Sequence, residues 1–211
     1  MDALLTLQQA GAFLAVAVLV TLAPGPDNLM VLSLGMARGR RAGVAFGLGC
    51  AIGCLSHTAL AALGVSALIA ASAWAFGLLK LAGGLYLVWL GIQAWRHARP
   101  LGAAPAAADA ERPGRLFAKG LIANAINPKV ILFFLAFLPQ FVAAGRGGAG
   151  GQIIQLGILF TLETVLIFGA IGWFAGSLGQ WLARRPAVGA WLDRAAGGIF
   201  ILLGAKLIAG R

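Results

Sequence analysis

Six apolar blocks, at roughly 10–34, 42–64, 74–95, 118–143, 152–175 and 191–209, constrain this chain more than any other feature. Each is about the ~20 residues that an α-helix needs to cross a bilayer. They take up most of the 211 residues, of which 61% are hydrophobic and 10% charged. So few polar groups cannot cover a water-facing surface, which excludes an ordinary soluble enzyme. The same hydrophobicity excludes disorder. The expected fold is an all-α integral membrane protein of six spans, with the lipid bilayer as its main partner. The net charge of +10 would suggest nucleic acid in a soluble chain. Here the basic residues lie between apolar blocks, a pattern that implies anionic lipid and no nucleic acid.

The placement of those charges orients the chain. Arg38, Arg40 and Arg41 follow block one, Arg96, Arg99, Arg112, Arg115 and Lys119 follow block three, and Arg184 and Arg185 follow block five. The intervening side carries Arg146 and Arg211. The positive-inside rule then puts both termini outside and the stretch after block three in the cytoplasm. The N-terminal Met1 to Gln9 has no Lys or Arg, so the first block reads as retained rather than cleaved.

The longest polar stretch carries Pro100, Pro105 and Pro113 and separates two halves. The expected organisation is a first three-helix repeat over 1–96, a cytoplasmic linker over 97–117 and a second three-helix repeat over 118–211. The halves share features. Pro26-Asp27-Asn28-Leu29 matches Pro128-Lys129-Val130-Ile131, and the Gly83-Gly84 and Gly197-Gly198 pairs set Lys80 against Arg194 and Tyr86 against Phe200. Three spans is an odd number, so the second repeat would insert upside down. Inverted repeats of this kind mark many secondary transporters and put the site at their interface.

Blocks one and four should be broken. Pro24 and Pro26 flank Gly25 and remove two backbone donors, and Asn124-Ala125-Ile126-Asn127-Pro128 interrupts block four at similar depth. Irregular backbone survives in a membrane only where protein or a wet cavity satisfies it. The restarted half-helices would present unpaired N–H groups and positive dipole ends to an anionic group at the midplane. Proline kinks that only shape the bundle are the alternative. Asp27, Lys80, Lys129 and Glu163 are ionisable groups inside apolar blocks, each needing a partner or a role. Asp27 and Lys129 could face each other as a structural ion pair or share a substrate. Glu163 could carry a proton, with Asp27 as the other candidate, or could pair with Lys80 or another buried cation. His57, Cys50 and Cys54 read as packing residues. The motifs Gly43-x3-Gly47, Gly49-x3-Gly53 and Gly172-x3-Gly176 should let helices approach closely.

Several motifs together resemble the LysE/RhtB amino-acid exporter family, of the threonine, homoserine and lysine efflux type. They are Pro24-Gly25-Pro26, Gly39-Arg40-Arg41-Ala42-Gly43, Leu79-Lys80-Leu81-Ala82-Gly83-Gly84, Asn124-Ala125-Ile126-Asn127-Pro128-Lys129 and Leu138-Pro139-Gln140-Phe141. The match runs in order from about residue 10 to 143 and loosely beyond. It implies a multi-pass exporter of the bacterial inner membrane, coupled to the proton gradient, with amino acids or related small metabolites and protons as partners. It also implies that Pro24, Gly25, Pro26, Asn127, Pro128 and Lys129 form the pathway, with Lys80 a further candidate. The residues read as substrate-binding are these six with Asp27, Asn28 and Asn124. Asp27, Glu163 and Lys80 are read as proton-coupling or as a buried ion pair. No catalytic residue, cofactor or metal is expected, and a homo-oligomer is compatible with the pattern. Two other functions fit parts of the sequence. One is a cation exporter or channel using Asp27 and Glu163, for which the ligands are few. The other is a membrane thiol–disulfide carrier using Cys50 and Cys54, which lack the usual two-residue spacer.

Overall fold

The computed structural model describes residues 4–65, 67, 72–96, 111–143 and 148–210. Among these residues every regular element is helical. Helix α1 (Leu7–Leu22) starts at a capping box, in which Thr6 Oγ1 accepts from Gln9 N and Gln9 Oε1 accepts from Thr6 N. It stops at Ala23, whose ψ of 124° is extended because Pro24 follows. Helix α2 (Pro26–Arg38) restarts with Pro26 in its first turn and runs at 57° to α1. It ends at Gly39, where φ of 82° requires glycine.

Helix α3 (Arg40–Leu60) continues as a π-helical turn over Ala61–Val65, and α4 covers Ala73–Arg96. Helix α5 (Pro113–Ala125) begins inside the stretch read as linker, whose residues 97–110 lie outside the described residues. After the break at Ile126 and Asn127, α6 (Pro128–Leu132) leads into a π-helical turn over Phe133–Phe137 and a 3₁₀ turn over Leu138–Phe141, bent 50° from α5. Helix α7 (Ala149–Trp173) is followed by α8 (Ala175–Ala183), an element the apolar pattern does not announce, and by α9 (Pro186–Ala209).

Among the described residues three helices are long and apolar enough to cross a membrane: Arg40–Gly64, Trp74–Arg96 and Ala149–Trp173. If each bent pair, α1 with α2 and α5 with the segment to Phe141, is one span, the number rises to five. The 24-residue α9 carries Asp193, Arg194 and Lys206 and is not among them.

Helix α3 packs against α2, α5 and α7, while α4 pairs with α9. Glycines set the spacing. A Cβ at Gly49 would strike the Phe117 carbonyl of α5, and one at Gly120 would strike the Phe46 carbonyl of α3. A Cβ at Gly172 would lie 2.6 Å from the backbone of Gly43. The expected close approaches thus hold at Gly43, Gly47, Gly49, Gly53 and Gly172, but Gly176 faces open space. A cluster of Phe13, Phe133, Phe134, Phe137 and Phe160 packs α1 and α7 against the π-helical turn.

Candidate functional site

The two breaks meet in the buried centre. Because Pro24 has no N–H, the carbonyl of Val20 loses its helical partner four residues on. Lys129, in the first turn of α6, fills that gap. Its ammonium donates to Val20 O at 3.2 Å and to Ala23 O at 3.1 Å. A cation at the C-terminal end of α1 also meets the negative pole of that helix. The Phe200 ring of α9 lies 5.9 Å from the same nitrogen. Gly25 makes room for it, since a Cβ there would stand 2.9 Å from Lys129 Nζ.

The other break mirrors this arrangement. Asp27 occupies the first turn of α2, where a carboxylate suits the positive dipole end. Its Oδ2 accepts from Asn124 Nδ2, near the end of α5, at 2.9 Å. Each residue just after a proline therefore reaches across to the end of the half-helix that precedes the other break. Asn127 caps α6 by accepting from Lys129 N at 3.0 Å, and Asn28 Nδ2 donates to Thr21 O at 2.6 Å. Thr21 Oγ1 in turn donates to Glu163 Oε1 of α7 at 2.6 Å. All of these side chains are buried. Among the described residues Asn28 Oδ1, Asn127 Nδ2 and Glu163 Oε2 have no partner, and buried polar atoms without one call for water or a ligand.

Eight of the nine residues read as substrate-binding fall at the two breaks, and Asn124 stands two residues before the second. Asp27 and Lys129 line one cavity but do not close to a direct ion pair, since each is held by the helix end that precedes the other break. Glu163 joins the group through Thr21. The structure does not bring Lys80 there. It stands on α4 with its ammonium on the Gly210 carbonyl, so it is not the partner of Glu163.

Sequence reasoning passed over Thr21, whose hydroxyl and carbonyl link Glu163 to Asn28, and Thr164, which lines the cavity. No local signal separates these threonines from others in apolar helices. His57 is buried against Phe134 and bonds Asn124 O through Nε2 at 3.0 Å. Cys50 and Cys54 are free and fully buried, and Cys54 Sγ contacts Asn124 Oδ1 at 3.6 Å. Burial withholds them from the accessible thiol exchange that a disulfide carrier needs. Among the described residues no three His, Cys, Asp or Glu side chains group as metal ligands would.

The central cavity, lined by Thr21, Asp27, Cys54, Asn124, Lys129 and Thr164 among others, holds about 20 Å³. That is room for a water molecule and far below the ~300 Å³ at which ligand pockets begin. In this conformation the half-helix ends leave no space for a ligand of amino-acid size between them. The lysine and asparagine side chains occupy the space themselves.

Two interrupted helices whose broken ends share a buried, charged centre are the arrangement around which many membrane transporters build their sites. The chain belongs to the LysE type translocator family, whose model matches residues 18–211. It is 32% identical to the homoserine/homoserine lactone efflux protein of Salmonella typhimurium over 200 residues, covering 95% of this chain and 96% of that one. It is also 32% identical to the threonine efflux protein of Escherichia coli K12, over 94% and 98% of the two chains. An uncharacterized membrane protein of Vibrio cholerae is 35% identical over 95% and 96%. No solved structure matches.

Proposed function

We propose that this protein exports amino acids or related small metabolites from the cytoplasm across the bacterial inner membrane, by proton antiport with alternating access. The observation that carries this reading is the crossed pair of contacts at the two breaks. Lys129 is held by carbonyls of the first half, and Asp27 is held by Asn124 of the second. A zwitterion offers a replacement for both contacts. Its carboxylate draws Lys129 off Val20 O and Ala23 O, with Asn127 Nδ2 as a further donor. Its ammonium takes Asp27 or Glu163. Binding then frees the end of α1 and the end of α5 together. A ligand moves a conformational equilibrium only through such differential contacts. Pro24, Gly25, Pro26 and Pro128 supply the breaks that let the half-helices pivot. Glu163 carries the counter-moving proton, released and regained through the Thr21 hydroxyl.

The efflux named for the Salmonella and Escherichia relatives supports an amino-acid substrate. In this reading α9 is the sixth span, and the halves 1–96 and 118–211 are inverted repeats. Six spans would put the arginine-rich stretches after α2, α4 and α8 on one side, which the positive-inside rule makes the cytoplasm, so in this reading both termini lie outside.

Counterflow in proteoliposomes with a panel of labelled amino acids, with and without a pH gradient, tests the proposal. Exchange of at least one amino acid is expected, accelerated by the gradient. Glu163→Gln keeps the bond to Thr21 and should preserve counterflow while abolishing the response to pH. No exchange of any amino acid, or gradient-driven transport unchanged in Glu163→Gln, would overturn the respective part.

A further inference from the structure

We infer that the arginine-rich end of the bundle holds one anionic phospholipid in a groove between α3, α5 and α7. The groove has a volume of about 290 Å³ and is lined by Arg40, Arg41, Val44, Ala45, Leu48, Pro113 and Trp173. Its composition is graded along its length. Arg40 and Arg41 open α3 and are exposed, and Arg40 lies 4.3 Å over the Trp173 ring. Val44 and Leu48 follow Arg40 at intervals of four, so they share its face of the helix. From Arg40 to Leu48 the groove descends about 12 Å into the apolar part of the bundle.

A charged mouth above an apolar trough fits a molecule with an anionic head and an acyl tail. The guanidinium groups offer forked donors that match a phosphodiester, and Trp173, 53% exposed, suits the headgroup level. The first N–H groups of α3 add donors at the same end, where Gly39 supplies no capping side chain. A free phosphate would satisfy the arginines but leave the Val44–Leu48 trough empty. A neutral lipid would fill the trough and leave the cations unmatched. Basic pockets between spanning helices recognise anionic headgroups by this combination.

Native mass spectrometry of the intact protein in detergent, titrated with short-chain phosphatidylglycerol, phosphatidylcholine or glycerol phosphate, tests the inference. One tightly held phosphatidylglycerol is expected. Arg40→Ala/Arg41→Ala should weaken it about thirtyfold, taking the usual worth of a juxtamembrane cation for each residue. Arg184→Ala/Arg185→Ala removes the same charge from the same end, including the Arg185–Trp181 contact at 5.4 Å, and should change binding little. Leu48→Trp fills the trough with both arginines intact and should also release the lipid. It keeps the test valid if the double arginine variant fails to fold. Equal binding of phosphatidylcholine, equal loss in the two arginine pairs, or binding of glycerol phosphate as tight as that of the lipid would each overturn the inference.

Discussion

If Lys129 caps a helix end that Pro24 has opened, substitutions at the two positions must be coupled. Lys129→Met removes the donor for Val20 O and Ala23 O, both in a buried centre. Each carbonyl left without a partner costs about 1–3 kcal/mol. Against this, taking an ammonium out of the membrane interior relieves at least ~2.5 kcal/mol. The single variant should therefore be close to neutral in stability, although transport is lost. Pro24→Ala restores an N–H four residues after Val20. In the natural background that carbonyl is already satisfied and little is gained. In the Lys129→Met background the same substitution recovers one buried carbonyl, about 1–3 kcal/mol. The double-mutant cycle should thus show a coupling of about 1–3 kcal/mol, outside the ~0.5 kcal/mol scatter of independent sites. Reversible unfolding in mixed micelles measures the stabilities, and counterflow measures function. Additive stabilities would refute the capping argument, as would a Lys129→Met variant that transports normally.

Other consequences are simpler to read. Gly25→Ala pushes the Lys129 ammonium, the far end of a flexible chain, so it should fold normally yet lose most of its counterflow. Gly120→Ala presses a methyl onto the Phe46 carbonyl, which belongs to backbone and cannot swing away. It should lower stability in micelles by about 1–3 kcal/mol, the usual range for overpacking. At the end of α2, Glu111 accepts from Lys119 at 2.5 Å and from Arg38 at 3.2 Å. The Lys119 bond first, and Arg38 after it, hold its carboxyl below the ordinary glutamate range. A depressed carboxyl stabilises the fold above its unfolded value and loses that contribution as pH falls through its folded value. A melting series in acid should therefore show a downward slope below about pH 4.3 that is shallower in Glu111→Gln.

The sequence by itself determined where the two helices break. Proline lacks an N–H and restricts the residue before it, so the breaks at 24–26 and 126–128 follow from local covalent chemistry. The glycine spacings of α3 were legible for the same reason, because a missing Cβ is a property of the residue. The buried ionisable groups were legible too, since any charge within an apolar run stands out.

What each charge touches was decided only by the tertiary structure. Lys129 reads as an anion holder until the fold lays it across the end of α1, some hundred residues earlier in the chain, where two carbonyls claim it. Lys80 looks equivalent in sequence, yet it meets the terminus of α9 instead. Thr21 becomes a junction only because α7 brings Glu163 within 2.6 Å. The short α8 and the width of the central cavity were equally hidden. Backbone geometry is set by neighbours along the chain, whereas the partner of a buried polar atom is set by which helix packs against it. That choice depends on the whole bundle at once.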